Sequence, residues 1–183
     1  MEKKIFYIPG WMNTLGTYGD PSGVEIWKGD FDLNKKIEAD YVIGHSAGAN
    51  FALENRKRNK SGRIILVNPM FPQRNIFNWY FRLKKMHEEE GYNPRRERAK
   101  GFKNIFLGAC NLINLLLRNP KKIFLEIPKE DVIVIRGKND LYFCDNAAVD
   151  FVKNFDIKVI EVEGAGHNWC DKIQEEIDRL LEK

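Results

Sequence analysis

Apolar residues fall in six short runs along the chain, each bounded by glycine, proline, asparagine or charged residues. In order, the runs are KIFYI, VEIW, YVIG, RIILV, VIVI and IKVIEV. Short runs of this kind are typical of strands buried on both faces of a parallel sheet. Segments with helical spacing separate several of them, for example AGANFALENRKRN and the final CDKIQEEIDRLLEK. The pattern predicts a three-layer α/β fold with a mostly parallel sheet of about six strands.

Residues 70–127 interrupt this alternation of strands and helices. The segment is far longer than the usual connection of a few residues. It contains two amphipathic helix patterns, FNWYFRLKKMHEEEGY and FKNIFLGACNLINLLLR. We therefore expect one α/β domain over residues 1–183 with a helical insertion at 70–127. The insertion has twelve lysines and arginines against five acidic residues, a net charge of +7, whereas the whole chain carries only +4.

Composition and charge exclude several classes of partner. The chain is 43% hydrophobic and 31% charged, as in ordinary globular proteins. It has no basic tract interleaved with aromatic residues, so nucleic acid is not an expected partner. Three widely spaced cysteines without a CxxC pair predict no metal site.

The N-terminal sequence lacks the layout of a signal peptide, which favours the cytoplasm. The apolar stretch 105–117 is too short to span a bilayer, and we expect it to pack over the site rather than enter a membrane interface.

A candidate nucleophile lies in the motif GHSAG. Ser46 follows the strand YVIG and precedes a predicted helix, with Gly44 and Gly48 on either side. A sharp strand-to-helix turn of this kind exposes a serine hydroxyl above the carboxyl edge of a sheet. The new helix also points the backbone N–H of Ala47 toward the site, where it can bind a developing oxyanion. Ser46 is therefore predicted to be a nucleophile.

A base and an acid follow two later strands. Asp140 lies just past VIVIRG, and His167 lies just past IKVIEVEG. The carboxyl ends of parallel strands meet at one edge of the sheet, and the chain order serine, aspartate, histidine is the one associated with this type of turn. Asp131 precedes its strand and should lie at the opposite edge. Asp145 remains the alternative acid.

The remaining candidates concern the oxyanion and the substrate. His45 adjoins the nucleophile, but its side chain should point elsewhere. A second oxyanion donor should come from the turn after the first strand, where we favour the N–H of Trp11 over that of Met12. Gly10, Met12 and Tyr142 are expected to line the substrate site. Four aromatic residues of the insertion either line an acyl pocket or pack as its core: Phe77, Trp79, Tyr80 and Phe81.

The motifs GHSAG, RGKNDLYF and GAGHNW together resemble those of the α/β-hydrolases, over nearly the whole chain apart from the insertion. The sequence is most similar to small bacterial α/β-hydrolases and to compact serine hydrolases of the retinoblastoma-binding-protein-nine type. The resemblance implies that an acyl-serine forms on a small-molecule ester, thioester or amide, without a metal or organic cofactor. It also implies that the insertion is a cap. We expect carboxylester hydrolysis. The alternatives are thioesterase or peptidase activity, or a non-catalytic partner-binding protein on the same scaffold.

Overall fold

The computed structural model places five strands and six helices in the described part of the chain. The described residues are 3–11, 13–28, 31–32, 34–60, 62–71, 76–91, 101–116 and 119–182. The strands are β1 (Ile5–Ile8), β2 (Tyr41–His45), β3 (Arg63–Val67), β4 (Val132–Gly137) and β5 (Lys158–Val162). The helices are α1 (Ala47–Asn59), α2 (Ile76–Glu89), α3 (Phe102–Leu116), α4 (Pro120–Phe124), α5 (Asn146–Lys153) and α6 (Asp171–Leu181).

The strands form one parallel sheet in the order β1-β2-β3-β4-β5. Each strand pairs with the one before it, so the sheet grows in one direction from β1 to β5. Crossovers between parallel neighbours are right-handed, so the helices that connect successive strands fall on one face. All five carboxyl ends meet at one edge of the sheet. The loops that leave this edge carry the predicted site residues.

Two apolar layers cover the sheet, as the three-layer prediction requires. Alternate strand residues point to opposite faces. Ile64 and Leu66 pack on the face covered by α1, α4 and α5. Ile65 and Val67 pack on the other face, against Ile173 of α6. The amphipathic pattern of the last segment is thus explained, since α6 alone must bury one side against the sheet.

The predicted second strand, at residues 24–27, is a turn. Pairing with β1 is limited to a single bridge between Tyr7 and Gly23. The carboxylate of Glu25 then accepts hydrogen bonds from the N–H of Leu15 at 2.9 Å and from the indole of Trp27 at 3.2 Å. These local contacts replace the strand ladder, while Trp27 is still fully buried. Burial made the run apolar, and a short apolar run does not distinguish a strand from a buried turn.

Helices α2, α3 and α4 lie within the insertion and are called the cap here. Phe77, Tyr80 and Phe81 of α2 are 74%, 58% and 65% exposed, so neither predicted role applies to them. Their spacing places them on the outward side of the helix, whereas Trp79 and Met86 are buried on the opposite side. No helix in the described ranges is both long and apolar enough to cross a membrane.

Candidate active site

Ser46 occupies a strained turn between β2 and α1. Its backbone has φ 54° and ψ −119°, which is rare for a residue other than glycine. The neighbouring glycines make the turn possible. A Cβ on Gly48 would lie 2.0 Å from the carbonyl oxygen of Ile8, and one on Gly44 would lie 2.5 Å from that of Gly48. Helix α1 therefore approaches β2 at Gly44 and the end of β1 at Gly48 too closely for a side chain at either position, and the serine is held at the sheet edge.

The structure brings Ser46, His167 and Asp140 together in a chain of hydrogen bonds. His167 Nε2 lies 2.9 Å from Ser46 Oγ, and His167 Nδ1 lies 2.6 Å from Asp140 Oδ2. All three residues are buried. A hydroxyl bonded to an imidazole that is itself oriented by a carboxylate has the arrangement needed for nucleophilic catalysis.

The carboxylate of Asp140 is buried but well supplied with donors. It accepts hydrogen bonds from the backbone N–H groups of Tyr142 and Phe143 at 3.0 Å and of Cys144 at 3.1 Å. Burial alone would raise the pKa of Asp140. The charge and hydrogen bond of His167, together with the backbone donors, outweigh burial and hold this pKa below its usual range. Asp140 is therefore ionised at neutral pH.

The rival carboxylates are engaged elsewhere. Asp145 caps α5 by accepting from Ala148 N at 3.1 Å, and it forms an ion pair with Arg82 at 2.9 Å. Asp131 precedes β4 and pairs with Arg56, at the opposite edge of the sheet. Of the three aspartates considered, Asp140 is the one that faces His167.

Comparison with known proteins identifies the fold. No protein-family model matches the sequence, and no curated protein is similar to it by sequence search. Solved structures are similar: an α/β hydrolase fold protein from Burkholderia ambifaria aligns with a TM-score of 0.60 and 14% identity, over 100% of this chain and 91% of its own. This chain has the α/β-hydrolase fold. The same fold relates it to an N-formylmaleamic acid deformylase from Pseudomonas putida S16 (TM-score 0.64, 16% identity, 91% and 86% covered) and to naproxen esterase from Bacillus subtilis (0.56, 12%, 98% and 84%).

Within this hydrolase fold, three side chains hold the main chain of His167. Its carbonyl oxygen accepts from His45 Nε2 at 3.0 Å and from Asn68 Nδ2 at 2.9 Å. Its N–H donates to the carboxylate of Glu90, with contacts of 3.0 and 3.1 Å to the two oxygens. Sequence reasoning did not predict these roles. A signal existed for Asn68, which directly follows β3 at the same edge, but none marked Glu90 in the insertion.

His45 also connects His167 to the first turn. Its Nδ1 lies 2.8 Å from the hydroxyl of Tyr18, which accepts a hydrogen bond from Gly10 N at 3.0 Å. The ring of His45 thus points away from the hydroxyl of Ser46. Gly10 lies beside the nucleophile, where an added Cβ would be 3.2 Å from Ser46 Cβ.

The predicted oxyanion donors belong to residues close to the nucleophile. Ala47 begins α1, and the first N–H groups of a helix have no acceptor within the helix. Trp11 follows Gly10 and lines the same cavity as Ser46, with its ring packed edge-on against Trp79 at 5.2 Å. Met12, the alternative donor and predicted substrate contact, lies outside the described residues.

Tyr142 does not line the cavity at Ser46, contrary to the prediction. Its N–H points back to Asp140, and its hydroxyl donates to Glu89, the last residue of α2. Burial and this bond to a carboxylate raise the pKa of Tyr142 well above its usual range. Tyr142 therefore joins the Asp140 loop to the end of α2.

The cavity at Ser46 is small, at about 30 Å³. A single water needs roughly 10–15 Å³ measured in this way. Helix α2 forms its roof through Trp79, Leu83 and Met86. A larger cavity of about 500 Å³ lies beside β1, lined by Phe6, Phe31 and Phe51 among others, and contains none of the triad residues. With α2 in this position, the cavity at Ser46 has room for about two waters.

Proposed function

We propose that this protein is a serine hydrolase that cleaves a carboxylic ester through an acyl-enzyme on Ser46. The hydrogen-bond chain from Ser46 through His167 to Asp140, beginning at a strained turn, is the observation that carries the proposal. A serine held in rare backbone geometry costs free energy, and such strain persists where the surrounding structure imposes it, often at active sites.

In the first half-reaction, His167 Nε2 accepts the proton of Ser46 Oγ as the oxygen attacks the substrate carbonyl carbon. The carbonyl electron pair moves to oxygen, and the N–H groups of Ala47 and Trp11 bind this oxyanion. Ionised Asp140 stabilises the imidazolium and fixes the tautomer of His167. Collapse of the tetrahedral intermediate breaks the bond to the leaving group, which takes the proton from His167 and departs as an alcohol.

The second half-reaction regenerates the serine. His167 removes a proton from water, whose oxygen attacks the acyl carbon of Ser46. The bond to Ser46 Oγ then breaks, the serine regains its proton from His167, and a carboxylic acid leaves. The net reaction is ester plus water giving acid plus alcohol. The small cavity favours short acyl groups, since a longer chain requires a larger displacement of α2.

The same machinery serves thioesters and amides, which remain the alternatives among enzymes. An alkoxide is a better leaving group than the anion of an amine, so an ester depends less than an amide on protonation of its leaving group by His167. Of the proteins with this fold compared above, one is named an esterase and another a deformylase. A substrate screen should therefore compare short esters, thioesters and formamides on one enzyme preparation.

Intact-mass spectrometry with a fluorophosphonate probe tests the proposal. We expect one adduct on the wild type and on Ser22→Ala, and none on Ser46→Ala. Ser22 is an exposed serine in another turn and serves as the matched control. Turnover of p-nitrophenyl acetate should disappear with the adduct. A folded wild type that gives neither adduct nor turnover would rule out the hydrolase and favour a partner-binding protein on this scaffold.

A further inference from the structure

Glu90 places a half-buried carboxylate directly on the loop that carries His167. It follows α2 in the cap, yet it accepts hydrogen bonds from the main-chain N–H of His167 and from the side chain of Asn168 at 3.2 Å. The fit is close, because a Cβ added to Gly166 would lie 2.7 Å from its carboxyl group. These contacts join residues 77 positions apart in the sequence. The carboxylate thus fits closely against the loop that carries His167 and is hydrogen-bonded to it.

Glu90 acts on the triad through its charge as well as through its contacts. The charged groups that face it are His167, on the loop after β5, and Asp140, on the loop after β4, with the phenol of Tyr142 nearby. Its chain neighbour Glu89 adds a further carboxylate, bonded to Tyr142. A negative charge beside His167 favours the imidazolium that forms during acyl transfer. Burial raises the pKa of Glu90, although the N–H and charge of His167 act in the opposite direction.

Helix α2 is also held to the loop of the catalytic acid. Arg82 donates to the carbonyl oxygen of Tyr142 at 2.6 Å and pairs with Asp145 at 2.9 Å. The cap therefore contacts the Asp140 loop through Arg82 and the His167 loop through Glu90.

We propose that Glu90 is a positioning residue. With α2 packed on the sheet edge, its carboxylate holds the main chain of His167 in place. The inference rests on the proposed serine hydrolase function. The carboxylate orients the loop that carries His167, and its charge favours the imidazolium that forms during acyl transfer.

Steady-state kinetics of Glu90→Gln test the role. The control is Glu88→Gln, on the same helix, where the carboxylate is exposed and pairs only loosely with Lys84 at 3.8 Å. With p-nitrophenyl acetate, we expect kcat/KM of Glu90→Gln to fall at least about tenfold, as the loss of a charge-assisted hydrogen bond implies. The control should stay within about twofold of the wild type. The acidic limb of the pH profile should shift to lower pH in Glu90→Gln alone, since the neutral amide no longer favours protonated His167.

A purely structural Glu90 predicts a different result. Activity would then fall only in proportion to the folded fraction, and the pH profile would stay in place; that outcome overturns the proposal. Hydrogen exchange gives a readout that does not depend on turnover. In Glu90→Ala, the amide of His167 should exchange faster than in the wild type and in Glu88→Ala, and unchanged exchange also overturns the proposal. Absence of wild-type turnover and adduct rejects the hydrolase itself, so the two failures are distinguishable.

Discussion

At the scale of single residues, the geometry of Ser46 depends on two positions that carry no functional group. Gly44 lets β2 approach α1, and Gly48 lets α1 approach the end of β1, within distances that exclude a Cβ. The positive φ falls on Ser46 itself, which is not a glycine. The strain is thus borne by the candidate nucleophile, and the glycines remove the steric conflict around it.

Gly48→Ala should therefore be severely destabilising. The new methyl would meet the backbone carbonyl oxygen of Ile8 at 2.0 Å, and backbone moves less readily than a side chain. We expect a loss of about 3 kcal/mol or more in the free energy of unfolding, measured with urea. Gly19→Ala is the control. Its site has open space and φ +85°, so only backbone strain of about 1 kcal/mol applies. Equal losses for the two variants would contradict the close approach.

The choice of acid leads to a second prediction. Asp140→Asn should lower kcat by about 10⁴, because an amide holds the wrong tautomer of His167. Asp145→Asn should change kcat by only a few-fold. Asparagine caps a helix as well as aspartate does, so α5 keeps its N-cap and only the ion pair with Arg82 is lost. A larger loss at Asp145 than at Asp140 would reverse the assignment of the acid.

At the scale of elements, α2 serves two purposes. Trp79, Leu83 and Met86 close the cavity at Ser46. Arg82 on α2 and Glu90 just after it hold the helix to the loops after β4 and β5. The outward aromatic residues of α2 take no part in either function.

Arg82→Ala should make the site more open. The variant loses the bonds from α2 to the Tyr142 carbonyl and to Asp145. We expect kcat/KM for p-nitrophenyl hexanoate to rise relative to that for the acetate, since the longer chain needs the greater displacement of the helix. Lys84→Ala, which removes only an exposed pair with Glu88, is the control. An unchanged preference for chain length would show that α2 does not limit access.

At the scale of the whole molecule, stability and activity impose different demands on Glu90. Its folded pKa is raised, chiefly by burial. The folded state therefore binds the proton of Glu90 more tightly than the unfolded state does. The stability that this binding adds is fully present below the usual glutamate pKa of about 4.3 and is lost as pH rises through the folded pKa. Ionised Glu90 is therefore retained at a cost to the fold.

Glu90→Gln should consequently gain stability relative to the wild type as pH rises above about 4.3, while its activity falls. Urea denaturation of both proteins between about pH 4 and pH 7 measures the difference. Asp140 has the opposite sign. Its lowered pKa stabilises the fold above about 3.9, and this contribution is lost only as pH falls through the folded value. A Glu90→Gln variant whose relative stability stays constant with pH would contradict the raised pKa.

Much of the fold follows from local sequence. Five of the six apolar runs are the five strands, and α1 and α6 fall within the predicted segments. The reason is that strand burial and helix amphipathicity are written in neighbouring residues. The remaining run, at residues 24–27, shows the limit of this signal. It is buried, but the hydrogen bonds of Glu25 turn it away from the sheet.

The sequence by itself also located Ser46, Asp140 and His167, because each follows a strand and parallel strands end at one edge. Only the tertiary structure decided what surrounds them. Asn68 reaches His167 across 99 positions and Glu90 across 77, and Tyr142 turns to the cap rather than to the cavity. Such contacts depend on how segments far apart in the sequence pack together. The periodicity of apolar residues within each segment carries no information about that packing. The chain thus encodes its strands, helices and candidate triad locally, whereas the support of the histidine arises from packing of the cap on the sheet.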